Sequence, residues 1–226
     1  MLEKAPPEWV GGNGYFTAGA HRTVHAGLSD LLSVVRNITP EMVERIDMTP
    51  YTRENFIEDV LRLSEGKSDL SLVEALVDNS RDSIGWLAAY AGIPFVFSFH
   101  RQAYEINGRQ RFWGGMALSV EDGGKGLIAA HQRALEKAGV EIWFNSRVTD
   151  LTLNNGAVEG VVVVKDGIEH RLSSSAVILA AGGFEASSEL RAKHLGAEWK
   201  RAKVRGALLF CISLVYLCHH SKRDTV

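Results

Sequence analysis

The sequence predicts an α/β protein in which a parallel sheet and a β-meander stand beside a helical lobe. Three observations carry that prediction. The apolar run "AVILAAGGF" (176–184) reads as a strand with a glycine-rich end. "GGKGLIAAHQRALEKAG" (123–139) is a glycine-rich turn entering a helix, and short stretches of alternating character follow it. Between about residues 38 and 92 the pattern is helical and repeatedly capped. At 226 residues, 46% apolar and 23% charged, the chain has the composition of a soluble globular protein with one sizeable domain or two small ones.

Taken in order, His21 to Val35 predicts a helix with one buried face, because Val24, Leu28, Leu31, Leu32 and Val35 recur at helical spacing. "ITPEMVERI" offers Thr39 as N-cap and Pro40 as the first helical residue. "YTRENFIEDVLRLSEG" repeats the device, with Thr52 as cap, Gly66 as stop, and Phe56, Val60 and Leu63 as its apolar stripe. "SLVEALVDNSRDSIGWLAAYAG" is a longer helix that Gly92 and Pro94 end. "VEIWF", "VTDLTLN", "AVEGVVVV" and "IEHRLS" predict short strands, with turns at "NNG" and "KDG". The continuous apolar strand "AVILAAGG" is expected at the centre of a sheet, covered on both faces and stopping at Gly182 and Gly183.

A net charge of −2, with no dense run of Lys and Arg, argues against a nucleic-acid partner and in favour of a small molecule. Cys211 and Cys218 both fall near the C-terminal end, so no disulfide framework or metal-ligand spacing supports the main body. With no secretory signal at the start, a reducing, cytoplasmic location is expected.

Three stretches point to chemistry. A strand that ends in a glycine pair, as in "AAGGF", lets a ligand approach the backbone and meet its N–H groups. Strand ends followed by glycine are also common without a ligand. Glu3 stands where a dinucleotide fold places the acid that accepts hydrogen bonds from ribose hydroxyls. By itself it would read as a solvated terminal carboxylate. "GGNGYFTAGA" combines Gly11, Gly12, Gly14 and Gly19 with small residues, which is what a flat ring or an anionic group needs in order to sit close.

Together, "LEKAP…GGNGYFTAGA", "GGKGLIAAHQRALEKAGVEIWFNSRVTDL" and "AVILAAGGFEAS" resemble the FAD-binding part of the fumarate reductase and succinate dehydrogenase flavoproteins, most of all the tricarballylate dehydrogenases among them. The resemblance spans about residues 1–206 and implies an incomplete Rossmann-like FAD-binding fold. It also implies that Glu3 holds the adenosine ribose, and that Gly12 and Asn13 lie along the pyrophosphate and ribityl chain. Ala18 and Gly19 would line the isoalloxazine, the backbone of Val148 would meet the adenine, and Ala181 and Gly182 would face the cofactor from a strand end. The meander from about 148 to 172 resembles the β-excursion of such folds, and the block from about 38 to 92 would be the lobe beside the flavin.

Two parts of the family pattern are expected outside this sequence. The first strand with its G-x-G-x-x-G turn would lie before Met1, and the capping domain, with the substrate-binding His and Arg and the proton-transferring Arg, would follow Gly206. Residues 207–226 instead form an apolar tail, whose run from Ala207 to Cys218 would span about 18 Å as a helix, too short to cross a membrane. His219 and His220 beside Cys218 carry no metal assignment. Neither do His21 and His25, four residues apart without acidic or Cys partners. His100, Arg101, Arg109 and Arg111 could meet a carboxylate but read first as solvated surface charge. The expected activity is hydride transfer between a small di- or tricarboxylate and FAD, and the alternative is a non-catalytic piece of such a flavoprotein without a competent site.

Overall fold

The computed structural model describes residues 1–202 and, for the backbone alone, 215–218. The chain divides into two units, residues 16–134 and residues 1–15 with 135–226.

In the first of these, Gly19 to Gly27 runs as an extended strap rather than the helix predicted over His21–Val35. Isolated bridges join His21 to Leu118 and His25 to Tyr51, and only Leu28–Leu31 (α1) is helical. Thr23, His25 and Gly27 are buried alternately, a period of two that belongs to extended backbone, and Gly27 turns the chain at φ 107° before α1. Pro40–Val43 (α2) starts after Thr39 as expected, and Ile46–Met48 (β1) follows. Arg53–Leu63 (α3) opens on a capping box in which Thr52 Oγ1 accepts from the Asn55 N–H and Asn55 Oδ1 accepts from the Thr52 N–H. Leu70–Ala89 (α4) is capped by Asp69 and buries Val73, Val77, Ser80 and Ile84 along one face.

Phe95–Phe97 (β2) then leads through the short Phe99–Gln102 (α5) into a hairpin of Ala103–Ile106 (β3) and Arg109–Phe112 (β4). β4 also pairs in parallel with β1, and Leu118–Val120 (β5) returns antiparallel to β2. Gly123–Lys137 (α6) closes the series, and Gly139 at φ 71° ends it as predicted. Leu31, Ile84, Ile93, Phe95, Phe112 and Leu118, each at most 3% exposed, form the centre of the core. A smaller cluster of Tyr51, Phe56, Val73 and Val77 lies between α3 and α4.

The second unit is built on the predicted meander: Ser146–Asn154 (β6), Ala157–Lys165 (β7) and Ile168–Ser173 (β8), all antiparallel. Its two hairpins turn on Asn155–Gly156 and Asp166–Gly167, all four residues at positive φ, the type I′ geometry that matches strand twist. Ala176–Leu179 (β9) is not the covered central strand that its apolar run predicts. Val177 alone is half-buried, while Ile178 and Leu179 are 55% and 59% exposed. Apolar content reports what a strand can bury, and among the described residues β9 pairs with Val215–Cys218 (β10), antiparallel. Apart from that backbone, the tail from Ala207, with Cys211, His219 and His220, lies outside the described residues. No helix among the described residues is long and apolar enough to cross a membrane.

Ser188–Leu195 (α7) is tied to the turn after it by Arg191, whose buried guanidinium donates to the carbonyl oxygens of Glu185, Trp199, Lys200 and Ala202.

Candidate functional site

In the unit containing the chain start, Met1 to Ala5 lies parallel to Glu141–Ser146. The Glu3 N–H donates to Trp143 O (2.8 Å), the Trp143 N–H to Met1 O (2.9 Å), and the Ser146 N–H to Glu3 O (2.9 Å). "VEIWF" is therefore extended, and its partner is the chain start rather than the meander. That ladder carries the Glu3 side chain inward to 0% exposure. Oε1 accepts from the Ala5 N–H at 2.8 Å, and Oε2 has no partner. A buried carboxylate oxygen without a donor is costly, and burial holds the Glu3 carboxyl above its usual range against the opposing backbone N–H groups of Ala5 and Lys4. Glu3 is thus not the solvated terminal acid that its position alone would suggest.

Leu2 packs with Val148, Val161, Val163, Trp143 and Val177 in one apolar cluster. This brings together the segment bearing Glu3, the start of β6 and the strand that leads to Ala181 and Gly182. Val148 is half-buried opposite Val163, and the register slips between Val148 and Asp150, leaving Thr149 as the extra residue of a β-bulge. Ala181 is half-buried, and Gly182 is exposed at φ 71°, a conformation that favours glycine. Gly12 is buried at φ 50° beside Gly11 at φ 85°, and Asn13 is exposed.

In the other unit, the Thr17–Gly19 turn is set on the first turn of α6. Thr17 O accepts from the Gly124 N–H at 2.8 Å, and Thr17 Oγ1 accepts from the Gly19 N–H at 3.1 Å. Gly19 is buried at φ 64°, and a Cβ there would lie 3.0 Å from the Gly123 carbonyl group and from Val120 Cβ. Ala18 beside it is half-buried. The glycines of "GGKG" admit this turn, a role that the sequence pattern alone leaves unassigned.

Beyond the turn, the strap is anchored by side chains that sequence reasoning missed. Arg22 Nη1 donates to Tyr51 Oη (2.8 Å) and Asp59 Oδ2 (3.2 Å), and Tyr51 Oη donates to Asp59 Oδ2 at 2.8 Å. These residues lie up to 37 positions apart, so no local pattern announces them. His25 is buried, and its imidazole is held below its usual pKa by that burial. The Gly27 N–H donates to Nδ1, which leaves the proton on Nε2 to donate to Gly114 O. His25 is therefore a neutral structural residue, and no group of potential metal ligands occurs among the described residues.

Of the exposed basic residues, Arg109 is bidentate on Asp47 (2.8 and 2.6 Å) and also meets Glu44 O, so it is a paired rather than a simply solvated surface charge.

One observation fits an adenine dinucleotide: an inward Glu3 carboxylate oxygen in want of a donor, which ribose hydroxyls would supply. The class this defines is a dinucleotide-binding α/β protein. The model of the family described as "FAD binding domain" matches residues 40–204, and the chain belongs to that family, whose cofactor is FAD. It is 25% identical over 192 residues to the probable fumarate reductase Ifc3 of Shewanella frigidimarina, which covers 84% of this chain and 29% of the relative. It is 39% identical over 75 residues to the 3-oxosteroid 1-dehydrogenase of Comamonas testosteroni, 32% of this chain and 13% of the relative. Among solved structures, the open conformation of a flavocytochrome c3 fumarate reductase superposes with a TM-score of 0.61 at 24% identity, over 85% of this chain and 30% of that one. The chain thus spans less than a third of the length of each of these proteins.

The raised carboxyl of Glu3 makes stability depend on pH in a definite sense. The folded state binds the Glu3 proton more tightly than the unfolded state, so this contribution is full below the ordinary carboxylate pKa and is lost as pH rises through the elevated one. Relative to Glu3→Gln, the urea midpoint of the unaltered protein should therefore fall as pH rises from acid to neutral, the difference separating Glu3 from lowered carboxyls such as Asp47 and Asp59 that act in the opposite sense. Parallel curves for the two proteins would mean that Glu3 is not held protonated by burial.

Proposed function

We propose that this chain is the nucleotide-holding part of an FAD-dependent oxidoreductase acting on a small di- or tricarboxylate. The observation that carries the proposal is Glu3 Oε2, buried and without a donor in a protein of the FAD-binding family. Ribose hydroxyls are the donors that this oxygen lacks. Gly12 and Asn13 would follow the pyrophosphate and ribityl chain, and Ala18 and Gly19 would leave room against the isoalloxazine. The backbone at the Val148 bulge would meet the adenine, and Ala181 and Gly182 would face the cofactor through main-chain N–H groups. When bound, FAD supplies the hydride chemistry. The residues named here bind and orient it and take no proton-transfer role.

Residues 1–206 make up this nucleotide-holding part, with the lobe at about 38–92 and the meander at about 148–172 as its subdivisions. The preference for a carboxylate over a steroid is supported by the fumarate reductase relative aligning in sequence with 84% of the chain, against 32% and 52% for two steroid dehydrogenases. The alternative, a chain that folds without a competent site, differs in one measurable respect. Titration of the purified chain with FAD, followed by flavin fluorescence and gel filtration, should end in a yellow protein with one flavin per chain. A folded, colourless protein at saturating FAD would establish the alternative.

A further inference from the structure

Helix α4 has a second face that the core does not use. Leu72, Leu76, Asn79, Ser83, Trp86 and Tyr90 recur at alternating spacings of four and three, and every one of them is exposed. The apolar members stand out from solvent-facing helix chemistry: Leu72 is 70% exposed, Leu76 58%, Trp86 57% and Tyr90 74%. Trp86 and Tyr90 stack with ring centroids 6.1 Å apart, so the aromatic end of the stripe is already ordered. The stripe is also symmetric about position 81. Leu72 and Tyr90 are equidistant from it, as are Leu76 and Trp86, and the two small polar residues Asn79 and Ser83 flank it.

We propose that this face binds a second copy of the chain, α4 against α4 in antiparallel order, with a two-fold axis at the level of residue 81. An isologous contact requires a surface complementary to itself, and this palindrome meets that requirement. Each leucine of one copy faces an aromatic residue of the other, and Asn79 faces Ser83 where the helices come closest. From their exposure, the four large side chains offer about 500 Å² per copy, or about 1,000 Å² in all, which places the dimer in the weak, concentration-dependent class. Asp82 lies on the flank of the stripe near the axis, where it faces its own copy, so salt should strengthen the association.

Sedimentation velocity on the full chain should show a monomer shifting to dimer as concentration rises, and the shift should be lost in Leu76→Glu and enhanced in Asp82→Asn. Register is tested by disulfide trapping after Cys211 and Cys218 are replaced by serine. A mixture of Leu76→Cys chains with Trp86→Cys chains should cross-link on oxidation. Either preparation alone should not, because like cysteines would stand about 15 Å apart along the axis, beyond the ~7 Å that a disulfide spans. These positions face solvent, and an unchanged far-UV circular dichroism spectrum verifies the fold of each variant. A chain that stays monomeric at every concentration, a dimer indifferent to Leu76→Glu, or cross-linking as efficient in the separate preparations as in the mixture would each overturn the proposal.

Discussion

Gly126→Ala should lower the unfolding free energy by about 2–3 kcal/mol, although alanine is the better helix former by about 1 kcal/mol. The two effects can be ranked from the geometry. A Cβ on Gly126 would lie 1.8 Å from the carbonyl oxygen of Glu121 and 3.4 Å from the Asp122 Cβ, and the first of these is main chain that cannot rotate away. Relief would require the entry to α6 to move, and with it the Gly124 N–H that holds Thr17. Gly85 supplies the contrast, since it also sits inside a helix, yet a Cβ there would meet only the far end of Arg81 at 3.6 Å. Gly85→Ala should accordingly stabilise by about 0.5–1 kcal/mol. Urea midpoints moving in opposite directions for the two variants are the expected result; equal shifts would show that the α6 entry is not tightly packed.

The second large effect concerns the cofactor. Glu3→Ala should weaken FAD binding roughly ten- to a hundredfold, the loss of about 1.5–3 kcal/mol that attends removal of a charge-assisted hydrogen bond. The carboxylate is the acceptor, and burial holds the Glu3 carboxyl above its usual range, so wild-type affinity should rise with pH through that elevated value and then level. Glu3→Gln should bind weakly at every pH, with the slope gone. Fluorescence titrations at several pH values measure both. An affinity unchanged in Glu3→Ala, or a pH slope that persists in Glu3→Gln, would remove Glu3 from the ribose site without affecting the assignment of the chain to its family.

Local rules carried much of this fold and failed in identifiable places. The N-cap at Thr52, the stops at Gly66, Gly92 and Gly139, and the hairpins at Asn155–Gly156 and Asp166–Gly167 lie close to their predicted positions, because each is decided within a few residues. The hairpin at Asn107–Gly108 carries the same signal and was missed. Its flanks, "YEI" and "RQRF", are too polar to read as strands. His21–Val35 failed for the opposite reason. Apolar spacing suited a helix, but pairing with Leu118, Gly115 and Tyr51 drew residues 19–27 into an extended path. In the candidate site, Glu3 could be singled out from the sequence, but its burial depends on Trp143, far along the chain. The Arg22–Tyr51–Asp59 network is likewise non-local, and only the folded chain brings those residues together.

The guanidinium that joins α7 to the turn after it is surrounded by carbonyl oxygens and has no carboxylate partner among the described residues. Carbonyls do not take up protons in the range where the surface acids titrate. Acidification that neutralises pairs such as Arg109–Asp47 leaves this clasp with its full set of acceptors. A lysine in its place would present one ammonium to oxygens fanned around a plane, too compact to reach them all. Residues 185–202 are therefore fastened in a way that tolerates acid and is particular about shape.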